Sequence, residues 1–151
     1  MKRVLKLKLH TDKHTYVQLL QVTRIYSQAC NALSREAFAS HTFARFDLHK
    51  LAYYRIRTEF ALPSQLAIRA IAEVASAYKA LTAQIKEHNK ICAPQDRREL
   101  TQITFGENMA VAFDERVLLL DTDQSQVALR LLEGRVSLPF QAGEKRKHLL
   151  V

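Results

Sequence analysis

Few side chains in this sequence are spaced for bond-breaking chemistry. His88 and Cys92 lie four apart at the end of one helical pattern, and His10 and His14 lie four apart across a strand-to-helix junction, so either pair could share a metal. Neither pair has the two further ligands that a closed site needs, and no metal or cofactor is expected. Asp114, Glu115, Asp121 and Asp123 form a loose carboxylate group of the kind that can hold magnesium. They fall where hairpin turns are expected, and Asp is favoured there for hydrogen bonds to its own backbone. The three glycines, Gly106, Gly134 and Gly143, are too scattered for a phosphate loop, and no Gly-x-Ser-x-Gly nucleophile turn is present.

Binding chemistry is better represented. Between Phe46 and Arg57 the basic residues His49, Lys50, Arg55 and Arg57 alternate with Tyr53 and Tyr54. Guanidinium groups pair with phosphates or guanine edges while tyrosines stack on bases, so this interleaving suits nucleic acid. A helix with packed tyrosines and solvated arginines accounts for the same residues. A few positions on, Ser64, Gln65 and Arg69 open another helical pattern, whose first-turn amides and dipole favour a phosphate or an acceptor-rich base edge.

Charge supports the same direction. The 151 residues include 23 Lys or Arg and 15 Asp or Glu, a net charge of +8. Residues 1–50 hold nine basic and three acidic side chains, residues 51–100 eight and five, and residues 101–151 six and seven. The whole excess lies in the first two thirds, as expected for a surface aimed at phosphates rather than for general solubility. An apolar content of 48% excludes a disordered basic tail. Cys30 and Cys92 cannot build a disulfide framework and read as thiols in a reducing compartment. Lys6 and Lys8 interrupt what would be a signal peptide's apolar stretch, and no run approaches a membrane span, so a cytoplasmic protein with no membrane partner is expected.

The elements that must position these residues follow from periodicity. Leu5, Leu7 and Leu9 alternate with Val4, Lys6, Lys8 and His10, which predicts a half-buried strand with a basic outer face. Thr11 reads as the cap of a long helix over 12–40, striped by Leu19, Val22, Tyr26, Ala29, Leu33 and Ala37. Asp47 reads as the cap of a shorter helix through Phe60. Pro63 opens a third helix over 64–88, striped by Ala67, Ile71, Val74, Tyr78, Leu81 and Ile85. Alternation of period two then predicts strands around Met109–Phe113, Val117–Leu119, Val127–Leu131 and Arg135–Phe140. The first strand needs partners, and the later strands can supply them. The expected fold is therefore α+β: a small antiparallel β-barrel over residues 1–10 and 97–151, OB-like, with a three-helix lobe over 11–96 inserted after its first strand. The basic run Lys145–His148, followed by an apolar end, predicts a strand or linker that once continued, hence a truncated chain.

Phe46-Asp-Leu-His-Lys-Leu51, Leu62-Pro-Ser-Gln-Leu-Ala67 and Ala75-Ser-Ala-Tyr-Lys79 together resemble the N-terminal region of the transposon-encoded OrfB/TnpB proteins, RNA-guided DNA nucleases related to type V CRISPR effectors. Leu5–Leu9, Ala29-Cys-Asn31, Val117–Asp121 and Gly134–Phe140 fit the same pattern, so the resemblance runs along nearly the whole chain. It implies a wedge barrel carrying a helical recognition lobe, which grip a guide RNA scaffold and read a short motif in duplex DNA beside the target. The matching surface is His49, Tyr53, Arg57, Ser64, Gln65, Ile68 and Arg69, with Ile68 standing where the family commonly has a polar residue. Lys50, Arg55, Lys6 and Lys8 add positive charge to the candidate set.

Members of that family continue into a RuvC-like nuclease with three separated carboxylates and a zinc-binding insertion, and neither pattern occurs in these residues. The expectation is a non-catalytic nucleic-acid-binding module. Two alternatives are a helical protein-interaction module, built on the seam of the third helix, and one subunit of a nuclease completed by a separate polypeptide.

Overall fold

The computed structural model describes residues 5–142. The order is β1 (Leu7–Leu9), α1 (Lys13–Ala39), α2 (Arg45–Glu59), α3 (Ser64–Ile91), a single 3-10 turn at Pro94–Asp96, β2 (Leu118–Asp121), β3 (Gln126–Arg130) and β4 (Arg135–Ala142). The class is α+β, with the three helices following the first strand as the periodicity predicts. The basic run at 145–148 and the apolar end after it lie outside the described residues.

The helix ends differ from expectation in instructive ways. Asp12, not Thr11, caps α1: its carboxylate accepts the Thr15 amide at 2.8 Å and the Thr15 hydroxyl at 3.1 Å. These bonds, the backbone one foremost, hold the Asp12 carboxyl below the usual carboxylate range. α2 begins two residues before Asp47, at Arg45, with Ala44 as a cap that offers no side-chain hydrogen bond, so Asp47 sits in the first turn and complements the helix dipole. α1 ends in a Schellman turn with His41 at φ 51°, the Thr42 amide reaching back to the Ala37 carbonyl at 2.9 Å.

The chain divides into two compact units, with the dividing line inside α1 between Val22 and Thr23. The first unit contains the start of α1 and the sheet. Its strands run antiparallel in the order β1-β4-β3-β2. Leu129 pairs with Val136 and with Leu118, Val127 with Leu138 and with Leu120, and Leu9 with Phe140, so one face is apolar throughout. Lys8, Arg130 and Arg135 lie on the other. In β2 it is therefore Leu118 and Leu120 that face the apolar side, whereas Val117 is buried just before the strand and Leu119 is 50% exposed. Asp114 and Asp121 accept the amides of Arg116 and Gln124 at 3.0 and 2.9 Å, as the turn reading of those carboxylates requires.

The sheet is open: β1 and β2 are its two edges, and the expected closed barrel does not form. Residues 109–113, expected to form a strand, form none, and residues 97–111 were expected within the barrel. Those residues belong instead to the helical unit, which runs from Thr23 to Val111. Ser27, Asn31 and Ser34, spaced four and three apart on α1, hydrogen-bond their backbone. The Ser27 hydroxyl donates to the Gly106 carbonyl at 2.9 Å. Asn31 clasps Phe105 twice, donating to its carbonyl at 2.9 Å and accepting its amide at 2.8 Å. The Ser34 hydroxyl donates to the Ile103 carbonyl at 2.6 Å, and the Ile103 amide donates to the Tyr78 hydroxyl at 3.2 Å. A second asparagine, Asn89 on α3, clasps Arg98 in the same two-bonded way, both at 2.8 Å. Backbone groups satisfied by side chains have no need of a neighbouring strand.

The core of this unit is the meeting of three apolar stripes: Tyr26, Cys30 and Leu33 of α1, Leu48, Ala52 and Ile56 of α2, and Ile71, Val74 and Tyr78 of α3, all fully buried. Each buried Leu, Ile or Val contributes roughly 1.5–3 kcal/mol. Burial dominates the acidity of Cys30 and pushes its thiol up to about 12, with the Glu73 carboxylate adding to the effect.

Two measurements check this packing. Asn31→Asp keeps the acceptor for the Phe105 amide but removes the donor to its carbonyl, and the expected cost is about 1–3 kcal/mol. That is a fall of roughly 2–10 °C in a thermal melt; an unchanged melting point contradicts the clasp. With a neutral-pH thiol reagent the half-buried Cys92 reacts in the native protein, while Cys30 reacts only after denaturation. Rapid labelling of both thiols in the folded chain contradicts the packing around Cys30.

Candidate functional site

α2 buries only one narrow row, Leu48, Ala52 and Ile56, and leaves most of its circumference outward. On that outward surface His49 and Tyr53, one turn apart, stack with ring centroids 4.6 Å apart and planes 13° from parallel. Tyr54 meets Tyr53 edge-on at 5.2 Å. The Lys50 ammonium sits over the Phe46 ring, 4.3 Å from its centroid. Phe46 is 69% exposed and Tyr54 78%, so neither ring contributes much to the core. Arg57 is exposed in the last turn, where a cation complements the helix dipole. The result is a continuous surface of aromatic planes with cations between them.

Arg55 stands apart from this set. Its guanidinium pairs with Glu59 at 2.7 Å, one turn along α2, and with Glu36 of α1. Two carboxylates occupy the charge that the sequence pattern offers to a phosphate, so Arg55 ties α1 to α2. An exposed pair of this kind is worth up to about 1 kcal/mol.

At the start of α3, Pro63 occupies the cap position without a side-chain hydrogen bond, and its fixed φ near −51° leads directly into the helix. Ser64 is exposed, while Gln65 and Ile68 are half-buried. The preceding turn holds Ala61 in the left-handed region at φ 49°. Arg69 is half-buried, and its Nε is enclosed without a hydrogen-bond partner among the described residues. Its charge is felt by the buried Tyr26, whose hydroxyl also lacks a partner. Desolvation is the largest influence on that phenol and raises its pKa above the ordinary value. Lys6 and Lys8 are exposed in the sheet unit, outside the helical cluster, with Lys8 paired opposite Gln141 on β4.

His49, Lys50, Tyr53, Tyr54 and Arg57 are visible in the sequence as an interleaved pattern, whereas Phe46 is not singled out there as a surface aromatic in its own right. Its signal is present: positions 46, 50, 53, 54 and 57 recur at helical spacing, one row away from the buried stripe. Three further cations, and the groove they line, escaped sequence reasoning altogether. Arg45, Lys79 and Lys86 line a groove with Arg69, and nothing in their local sequence distinguishes them from ordinary solvated residues.

Among the described residues no three His, Cys, Asp or Glu side chains converge as a metal site, and no helix is long and apolar enough to cross a membrane. The chain matches none of the protein-family models, curated proteins or solved structures compared with it.

If Arg55 is a tie rather than a ligand, Arg55→Ala lowers the thermal midpoint by a few degrees, about 1 kcal/mol or less, through its two lost ion pairs. Arg57→Ala, which breaks none and loses only its complement to the helix dipole, lowers the midpoint less. The reverse ranking of the two variants contradicts this assignment.

Proposed function

We infer that this chain is a nucleic-acid-binding module of the kind found at the front of OrfB/TnpB-type RNA-guided nucleases, binding a guide RNA scaffold and a short duplex DNA motif. The observation that carries the reading is the outward face of α2. Stacked His49 and Tyr53, exposed Tyr54 and Phe46, and Lys50 and Arg57 between them offer planes for bases and charges for phosphates. A purely packed helix has no use for two aromatic rings more than two-thirds exposed, nor a solvated one for rings held in stacks. The +9 carried by residues 1–100 supplies the long-range attraction.

In this reading the roles divide by chemistry. Tyr53, Tyr54 and His49 stack on unpaired bases, and Lys50 and Arg57 neutralise phosphates. Gln65, at the start of α3, is the residue able to read a base edge with a donor and an acceptor together. The open sheet is the counterpart of the family's OB-like wedge, and its Lys6 and Lys8 add phosphate contacts. Cleavage is assigned to no residue of this chain; a separate nuclease-bearing polypeptide would supply it. The resemblance to that family, carried by segments such as Leu62–Ala67 and Ala75–Lys79, supports the reading alongside the geometry.

Fluorescence anisotropy with a structured RNA and a short duplex tests it. Both ligands bind at low salt, and affinity falls at least roughly tenfold between about 50 and 200 mM salt. Tyr53→Ala with Arg57→Ala weakens binding to all sequences. Gln65→Ala narrows the gap between preferred and random duplexes by about 1–3 kcal/mol while leaving the salt dependence alone. No binding of either ligand at low salt, with a monodisperse and folded sample, overturns the reading.

A further inference from the structure

The face of α3 next to its buried stripe forms one wall of a groove of about 890 Å³ that opens to solvent, with the start of α2 as the other. Cations at Arg69, Lys79 and Lys86 lie along this wall, and Arg45 stands opposite. Glu73 is the only carboxylate in the lining. Among the described residues none of the four cations makes an ion pair, although Glu73 lies one turn from Arg69. Between the cations the wall is built of small side chains, Ala72, Ser76 and Ala83, which let a ligand's backbone approach closely. Ala44 and Arg45, the uncapped N-terminus of α2, bring first-turn amides and the positive end of a helix dipole to the same place.

We propose that this groove is a second binding site, which holds the phosphodiester backbone of a single nucleic-acid strand, with Arg69 as its anchoring guanidinium. The proposal deepens the nucleic-acid reading and rests on it: bases meet the aromatic face of α2, and a backbone runs in the groove. Three properties select a phosphate polymer. The cations are unpaired, so each keeps its charge for a ligand. Arg69, half-buried in the lining, brings a planar guanidinium whose fork of donors matches a phosphate better than a point charge does. The spacing suits a chain rather than a single anion. From Arg69 to Lys86 the helix rises about 25 Å at 1.5 Å per residue, the length of about seven stacked nucleotides at 3.4 Å each. An acidic polypeptide helix is the rival occupant, but it presents carboxylates on a bulky rod, whereas the α3 wall sets Ala72, Ser76 and Ala83 between its charges, where a thin backbone can approach.

The test uses the whole chain and a labelled oligouridylate of about ten nucleotides, with uridine monophosphate and polyglutamate as competitors. The variant is Lys79→Gln combined with Lys86→Gln, two exposed residues without partners, whose fold is checked by circular dichroism; Arg69→Lys is the second variant. The expected result is at least a roughly tenfold loss of affinity in the double variant and a fall of about 1.4 in the slope of log affinity against log salt. Arg69→Lys keeps the slope but weakens binding. Uridine monophosphate and polyglutamate compete poorly. An unchanged affinity and slope in the double variant overturns the groove while leaving the α2 face standing, provided that Tyr53→Ala still weakens binding. Equal competition by the mononucleotide shows a site for a single phosphate, and equal competition by polyglutamate shows a polypeptide site; either result overturns the proposal. Failure of the unaltered chain to bind any nucleic acid removes the function itself.

Discussion

The helical unit depends on a polar stripe in a place where an apolar one would be the ordinary choice. Ser27, Asn31 and Ser34 lie on a face of α1 that is turned toward protein, and each spends its hydrogen bonds on the backbone of residues 103–106. The buried Tyr78 hydroxyl completes the arrangement, meeting the Ser34 hydroxyl at 2.9 Å and donating to the Ser34 carbonyl at 3.1 Å. One phenol thereby joins α1, α3 and the returning chain. Because an unsatisfied buried amide or carbonyl costs about 1–3 kcal/mol, such a seam tolerates few substitutions.

This seam decides what remains outside. α1 and α3 are joined by Ser34 and Tyr78 and both hold the returning segment, while α2 packs closest to α3, burying only Leu48, Ala52 and Ile56, so most of its side chains are left outward. Arg55 and its two carboxylates tie α2 to α1 at the surface. The outward residues are then available for stacking and for charge, and the first turn of α2 meets the middle of α3 across the groove. In the proposed reading, structural and recognition roles separate by helix face, even between neighbours such as Arg55 and Arg57.

Much of this was legible from residue spacing. The stripes of α1 and α3 are buried largely where the three-and-four pattern placed them, and the strands at 126–130 and 135–142 follow period-two alternation. The stretch 97–113 was not legible, because alternation of Met109, Val111 and Phe113 describes an extended chain without saying whether a strand or a helix satisfies it. Asn31 and Asn89 carry the missing information. Asparagine is a poor choice within a helix unless its amide has a backbone to bind, but a single sequence does not say which backbone. Helix ends shifted for a related reason: Thr11 and Asp12 can each cap, and only the position of the Thr15 amide decides between them. In the candidate site, the aromatic and basic residues of α2 were visible as a pattern. The engagement of Arg55 depends on Glu36, 19 residues away, and the groove depends on how two helices meet; neither is a property of a local segment.

The central claim is that the helical unit meets nucleic acid through α2 and the exposed side of α3. The most direct measurement is a map of backbone amide chemical shifts as a short single-stranded RNA is added to the isotopically labelled chain. The account predicts that the changes concentrate on residues 46–57 and 69–86, while the amides of Ile103 and Phe105, held by the α1 seam, stay in place. Changes confined to the strands at 118–142, or spread evenly over the chain, would contradict it.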